Sequence, residues 1–249
     1  GQLGLRAVSY DRDLSGNQRI DTPTGFVFEP IEARKKDSYL LPNVNARFRL
    51  TPELQLRLAA TRTRTRPQFL DLNPSISIGR PPDASCNPAL VNCETAAFGG
   101  NPNLRDLKSD NYDASLEYYF SASGFASVAV FHRSLDGFIQ PSAFRFTDPA
   151  LGVIQVNGLT NTGKGRITGV EAQLQTFFDY DFLPDWARGF GVQTNVTYLD
   201  AKTQQPVFGG PAGALEYDRI VIADPQIRNG VSEWNFNIVG LYERGPVSA

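Results

Sequence analysis

Few residues in this chain are equipped for chemistry, and they are scattered. His132 is the one histidine among 249 residues. A general base or a metal ligand needs a second group aligned with it, and no nucleophile or further ligand stands at a useful spacing. Cys86 and Cys93 are the two cysteines, in a stretch rich in Pro, Asn and Ser. With a single histidine in the chain they do not complete a zinc set, and a local disulfide pinning a loop in an oxidising compartment is the expected pairing. Two unpaired thiols are the alternative. Gly163-Lys164-Gly165-Arg166 offers glycines and cations for a phosphate, but it lacks the P-loop spacing and runs into a strand pattern where that loop must run into a helix. Asn195-Val196-Thr197 matches a glycosylation acceptor but lies in mid-strand. The expectation is therefore no catalytic residue, no metal site, no cofactor and no enzyme.

A more informative group is the ladder Arg62, Arg64, Arg66. Side chains two apart on a strand share a face. Simple parity places these arginines above Leu54, Leu56 and Leu58, where they could meet lipopolysaccharide phosphates. A bulge would turn them to the other face, toward a substrate or an internal domain. A solvated strand extension is the third reading.

The elements that must hold these residues are strands. In 40–50 the even positions Leu40, Pro42, Val44, Ala46, Phe48 and Leu50 oppose Asn43, Asn45, Arg47 and Arg49. In 111–120, Tyr112, Ala114, Leu116, Tyr118 and Phe120 oppose Asn111, Asp113, Ser115 and Glu117. Segments 3–7, 54–60, 168–178, 190–198 and 234–242 repeat the alternation, whereas 125–139 carries apolar residues at both parities. One face of each strand is apolar, and the other carries amides and charges. A soluble sandwich could also give one wet face and one core face, so the connections decide. Short turns at 51–53, 121–124 and 243–246 and a medium one at 179–188 alternate with long polar segments at 12–38, 67–107, 148–163 and 201–229. Outer-membrane barrels have that rhythm, with short periplasmic turns and long extracellular loops. Phe48, Tyr118, Phe120, Phe125, Phe177, Phe178, Trp186 and Tyr242 cluster beside the short turns, as an interfacial girdle would.

Composition agrees. The net charge of −2 argues against a nucleic-acid partner. No apolar run approaches the ~18 residues of a transmembrane helix, while barrel strands need only ~9–11 alternating residues. The expected fold is all-β, an antiparallel transmembrane β-barrel segment of about eight or nine strands. Alternation already under way at Leu3 and a strand beginning at Val247 lead us to expect a piece of a larger barrel, with no leader segment within it.

Four motifs then carry a family resemblance. Residues 62–69 (Arg-Thr-Arg-Thr-Arg-Pro-Gln-Phe) and 100–104 (Gly-Asn-Pro-Asn-Leu) resemble strand-to-loop elements of TonB-dependent outer-membrane receptors. The second element in that family often continues with a basic residue and proline, whereas here Arg105 is followed by Asp106. Residues 131–139 resemble the next ascending strand, and 165–171 resemble the Gly-x-x-x-Gly-x-Glu strand after it. The resemblance covers most of 60–200. It is closest to receptors of environmental proteobacteria, many associated with plant or algal glycans. It implies a 22-stranded barrel in the outer membrane of a Gram-negative bacterium, occluded by a plug and energised through TonB. Residues 1–249 would be part of the barrel domain, with the plug, the TonB-contacting box and the remaining strands outside them. The implied partners are the plug and TonB, outer-membrane lipid and lipopolysaccharide, and a ligand: an oligosaccharide first, a ferric siderophore second. A passive porin and a soluble all-β binding or adhesion domain are the rivals.

Site expectations follow. Asn43, Asn45, Arg47, Arg57, Asp113, Glu117, Glu171, Gln193 and Asn195 should face the lumen and, near the short turns, the plug. Phe69, Phe98, Phe208 and Tyr217, together with Phe26 and Phe28, could stack on a sugar ring or an aromatic siderophore, with Arg62, Arg64 and Arg66 as charged contacts.

Overall fold

The computed structural model describes residues 1–81, 94–161, 163–178, 183–184, 188–203, 206–208, 220–222, 226–227, 231–244 and 247–248. No helix among them is long and apolar enough to cross a membrane. In chain order, β1 (Gln2–Thr22) and β2 (Gly25–Arg49) form a long hairpin, and β3 (Leu54–Thr65) returns across a tight turn. There the Thr51 hydroxyl accepts hydrogen bonds from the Glu53 and Leu54 amides. The connection after β3 carries β4 (Ile76–Ile78) and β5 (Thr95–Gly99) before β6 (Leu107–Tyr118) and β7 (Phe125–Asp136). The hairpin of β8 (Ile139–Asp148) and β9 (Gly152–Asn161) precedes β10 (Lys164–Phe177) and β11 (Phe190–Thr203). β12 (Pro206–Phe208), β13 (Ile220–Ile222) and β14 (Gln226–Ile227) lie in the next long connection, before β15 (Trp234–Arg244) and β16 (Val247–Ser248).

β16-β15-β11-β10-β7-β6-β3-β2-β1 pair side by side, every neighbour antiparallel, within a 14-stranded sheet. These nine strands form the wall, in keeping with the eight or nine expected.

Paired residues point the same way, so the ladder sorts the faces. One row reads Phe48, Leu56, Leu116, Val128, Ala172, Val196 and Phe236 from β2 to β15. The row one side chain lower reads Leu54, Tyr118, Ala126, Leu174, Thr194 and Ile238. Most of these large apolar groups are exposed, so the wall has an apolar outer surface, with no core against it among the described residues. The apolar band also drifts along the ladder. It reaches the Leu5–Pro42 row on β1 and β2, but that row is Arg62–Asp110 on β3 and β6. On β11 and β15 it descends to the Phe190–Tyr242 pair. A level band crossing a drifting register is what tilted, staggered barrel strands produce.

The register also resolves 125–139, where apolar residues occur at both parities. Even positions of β7 join the apolar face, while Phe131 lies on the polar face opposite Gly169. A Cβ at Gly169 would stand 2.4 Å from Phe131 Cζ, and one at Gly165 would stand 2.5 Å from Phe138 Cε2. The glycines of the 165–171 motif are thus seats for aromatic rings. The strand does not run through to Ile139: it ends at Asp136 and turns at Gly137, whose φ is 90°.

Three further expectations are corrected. Segment 12–38 is not a loop but the outer part of the β1–β2 hairpin, paired without a break from Gln2–Asn45 to Thr22–Gly25. One face is polar, with Asp13–Arg34 (3.4 Å) and Asp11–Lys36 (3.8 Å) paired across it, and the other mixes Arg12, Gln18, Glu29 and Lys35 with Leu14, Ile20, Ile31 and Ala33, so the clean apolar alternation that marks a strand is missing there. Segment 148–163 is largely β9. Of the girdle aromatics, Phe125 and Phe177 take odd positions on the polar face, and Trp186 lies outside the described residues. A second belt stands at the other end of the band, where the Tyr198 and Trp234 rings are 5.0 Å apart beside the Tyr112 row.

The buried core sits in the connections. Ile76, Ile78, Ala97, Ile154 and Val156 form one cluster, backed by Ile20, Phe144, Phe146 and Leu151. β4 pairs β1 at Arg19 and Ile20, β5 pairs β4 and β9, and β9 pairs β8, which β7 reaches directly through Gly137. Above the band the connections thus roll the sheet back over the polar face of β1–β7.

Candidate functional site

Tyr10 and Arg12 on β1, with Lys35, Asp37 and Tyr39 on β2, line the polar face beyond the apolar band. Both ends of the 66–106 segment close on them. At its start the Arg66 guanidinium lies 4.0 Å from the Tyr10 ring centre, and that of Arg64 lies 4.7 Å from the Tyr39 ring centre. At its end the Tyr10 hydroxyl donates to Asp106 (2.8 Å), while Arg12 donates to Asp37 (2.9 Å) and to the Leu104 carbonyl (3.1 Å). Lys35 adds donations to the Asn103 and Leu104 carbonyls. Arg12 is 8% exposed and Asp106 6%, so these charges act at low dielectric and must be paired. Arg12 Nε and Nη1 and Asp106 Oδ2 have no protein partner among the described residues. Burial, then the bond to Asp106, raises the Tyr10 phenol well above its ordinary value and keeps it neutral. Burial likewise lowers the Lys35 ammonium, against the attraction of Asp37.

The 100–104 motif holds this junction in place. A Cβ at Gly100 would stand 2.4 Å from the Asn73 carbonyl oxygen, so the chain passes there only as glycine. Asn101 receives the Asn103 amide (2.9 Å) on its side-chain oxygen and donates to the Leu159 carbonyl (3.0 Å). Leu104 is fully buried. Next to it, Asn161 accepts the Arg105 amide (2.7 Å) and donates to the Arg105 and Gly137 carbonyls. One connection is thereby knotted to the next.

Toward the short turns the polar face carries a different cluster. Glu117 receives Arg57 (2.8 Å), Gln55 (2.6 Å) and the Tyr119 hydroxyl (2.9 Å), and farther along, at mid-strand, Arg133 pairs with Asp113 (2.6 Å). Asn45, Arg47, Arg57, Asp113 and Ser115 line an open concavity of about 500 Å³. Asn43, Glu171, Gln193 and Asn195 share that face by register. His132 is on the apolar face, its ring stacked 6.5 Å from Tyr112 and its Nδ1 2.8 Å from the Thr168 hydroxyl.

The arginine ladder divides. Arg62 stays on the apolar face, paired with Asp110, which also takes Lys108 at 2.7 Å. Arg64 and Arg66 instead reach the tyrosines of the polar face, because β3 leaves β2 after the Asn43–Thr61 pair. Phe69 and Phe98 are 84% and 63% exposed, Phe98 on the side of the loop sheet opposite the core, and among the described residues no contact joins them to the tyrosine junction. Phe208 falls in β12, described by its backbone, and Tyr217, Cys86 and Cys93 lie outside the described residues. Tyr10, Arg12, Lys35, Asp37, Tyr39 and Asp106 were not foreseen. The signal that could have found the hairpin that carries them is the opposite charge of Asp11 and Lys36 and of Asp13 and Arg34, each pair equidistant from the turn at Pro23 and Thr24.

Comparison with known proteins bears on what this arrangement serves. A family model, TonB dependent receptor-like β-barrel, matches residues 1–246. No curated protein matches the chain in sequence. Among solved structures, the siderophore receptor PirA of Acinetobacter baumannii is similar with a TM-score of 0.55 and 16% identity, over 97% of this chain and 32% of that one. The ferric enterobactin receptor of Pseudomonas aeruginosa gives 0.52 and 15%, over 96% and 31%. The Serratia marcescens hemophore receptor HasR, solved with its hemophore and heme, gives 0.51 and 15%, over 98% and 38%. At these identities the likeness shows the fold, and the chain spans less than two fifths of each of those proteins.

Proposed function

Since the chain belongs to the TonB-dependent receptor β-barrel family of the Gram-negative outer membrane, we propose that it supplies part of the wall and four ligand-facing loops of a receptor for TonB-energised import of a scarce ligand. The reading is a transporter and not an enzyme. The single observation that carries it is the two-faced wall: an exposed apolar band on one side and, on the other, a polar face over which the long connections fold. In this reading the polar face looks into the lumen of a 22-stranded barrel. The Arg57–Glu117 cluster, near the short turns, and the Arg133–Asp113 pair at mid-strand hold a plug through which TonB acts. The tyrosine–arginine junction lies at the extracellular mouth.

The family resemblance alone ranks an oligosaccharide before a ferric siderophore. Arg64 and Arg66 reverse that order, because cations presented over tyrosine rings at the mouth suit an anionic iron chelate. The exposed rings of Phe69 and Phe98 are the observation favouring a sugar. The test is a binding titration of the intact receptor against ferric catecholate and hydroxamate chelates and against neutral oligosaccharides. Saturable chelate binding, weakened about tenfold by Arg66→Gln, in line with a lost charge-assisted hydrogen bond, is expected. Oligosaccharide binding that depends on Phe98, with none for any chelate, would reverse the ligand class. Failure to bind either, with the receptor folded, would count against import altogether.

A further inference from the structure

Above the apolar band the β1–β2 hairpin is a ribbon with one covered and one open face. From the Ser9–Ser38 pair to the Arg19–Phe28 pair every position on the outer face is exposed, whereas the other face lies under the connections. The two columns of the open face differ in charge. Asp11 and Asp13 stand on β1, and Lys36 and Arg34 stand opposite them on β2. These four side chains are 65–77% exposed and meet at only 3.8 and 3.4 Å, so their pairing within the ribbon is weak. Higher up, Arg19 lies 4.5 Å from the Phe26 ring centre, with the exposed Phe28 as its cross-strand neighbour.

This strip complements its own two-fold image. All copies of an outer-membrane barrel insert in the same direction, so a closed pair of them has its two-fold axis along the membrane normal. Such an axis exchanges left and right and keeps height. Two ribbons set upright and face to face on it bring the β1 column of each against the β2 column of the other. Asp11 then meets Lys36 of the second copy, Asp13 meets Arg34, and Arg19 meets Phe28. Each acid stands between two cations and each Arg19 between two rings, a network where the single ribbon has isolated surface pairs. The area suffices as well. With Leu3 and Leu5 below it in the band, the strip is roughly 50 Å long and about 10 Å wide. That is on the order of 500 Å² per copy, or about 1,000 Å² for two, where specific interfaces begin.

We propose that the outer face of the β1–β2 ribbon joins two copies of the receptor side by side in the outer membrane. The occupant is a second copy because the order of acids, bases and rings on the strip matches that of its own two-fold image. The polar face and the connections folded over it stay on the far side of each ribbon, so pairing leaves the mouth of each copy open. The proposal rests on the outer-membrane position of the wall and not on which ligand the receptor imports.

The experiment measures energy transfer between donor-labelled and acceptor-labelled copies of the intact receptor, reconstituted in lipid vesicles over a range of protein-to-lipid ratios. Wild-type copies should show transfer above the level set by random encounters. D11K combined with D13R makes all four charges positive, and R34D combined with K36D makes all four negative. Either variant alone should pair at least tenfold more weakly than the wild type. Mixed in equal amounts, the two should pair with each other and recover the transfer. Both variants lack the ion pairs within the ribbon, so recovery in the mixture reports contact between copies. Heat-modifiable mobility of each variant reports that the barrel is folded. Folded wild type with transfer only at the random level, single variants that pair as well as wild type, or a mixture no better than its components would each overturn the proposal.

Discussion

Tyr10 joins the two ends of the 66–106 connection, its ring under Arg66 and its hydroxyl on the buried Asp106. Tyr10→Phe keeps the ring and strands one oxygen of a buried carboxylate, a loss on the order of 1–3 kcal/mol. Hydrogen exchange of the 103–106 amides in the intact receptor should accelerate by about tenfold or more. The raised phenol fixes the pH dependence. The stabilisation from a neutral Tyr10 is fully present below the ordinary phenol value near 10 and is lost as pH climbs through the higher folded value. Protection of these amides should therefore hold from pH 7 to 9 and fall only in stronger alkali, and Tyr10→Phe should remove that alkaline fall. The arginines nearby show how far single residues could be placed from the chain alone. Parity set Arg62 correctly on the face of Leu54 and Leu56. It failed for Arg64, because the ladder between β2 and β3 ends at Thr61 and a long side chain above that point can pass between strands.

At the scale of elements, the wall strands were legible because lipid on one side and polar groups on the other force a period of two. The hairpin beyond Ala7 was not. It runs roughly 50 Å to its tip with one face in solvent and the other under the connections, so backbone pairing, weak surface ion pairs such as Asp13–Arg34 and polar contacts such as Tyr10–Asp106 replace the hydrophobic pattern. The loop sheet was hidden for another reason: β4 and β5 are short, and β4 joins β1 in parallel across a long connection, which no local pattern announces. Its stability rests on its own core. Ile154→Asp would put a carboxylate among Ile76, Ile78 and Val156 with no described partner. Exchange should then become fast in β4, β5, β8 and β9 while β10 and β11 keep their protection, and loss of protection in all of them would show that the loop sheet and the wall unfold as one unit. Gly169→Ala tests the wall itself. Its methyl would press on Phe131 and on the Tyr198 carbonyl, at 2.7 Å from that oxygen. A cost of about 1–3 kcal/mol should appear as a lower unfolding midpoint of the whole barrel.

For the whole molecule, the unusual feature is that the largest side chains of the wall are its most exposed, with Phe236 76% accessible on the outer surface. In water that distribution would drive aggregation; in a bilayer it is the favourable one, since lipid contacts the band and the polar face is shielded from it. Neighbouring positions on one strand should therefore respond oppositely to the same charge. Val196 lies in the middle of the band between Ala172 and Phe236, and Asn195 lies on the other face between Gln173 and Asn237. Val196→Arg should cost about 2–4 kcal/mol in reversible unfolding of the intact receptor from lipid vesicles, and Thr168→Arg, at the edge of the band, about 0–1 kcal/mol. Asn195→Arg should be nearly neutral, because its side chain enters a polar, hydrated space. A soluble sandwich would bury the Val196 face as its core and keep the same ranking in lipid-free buffer, so the outcome that separates the two is whether reversible folding requires the lipid. Cooperative folding of the intact receptor without lipid or detergent would therefore return the wall to water and remove the ground on which import stands.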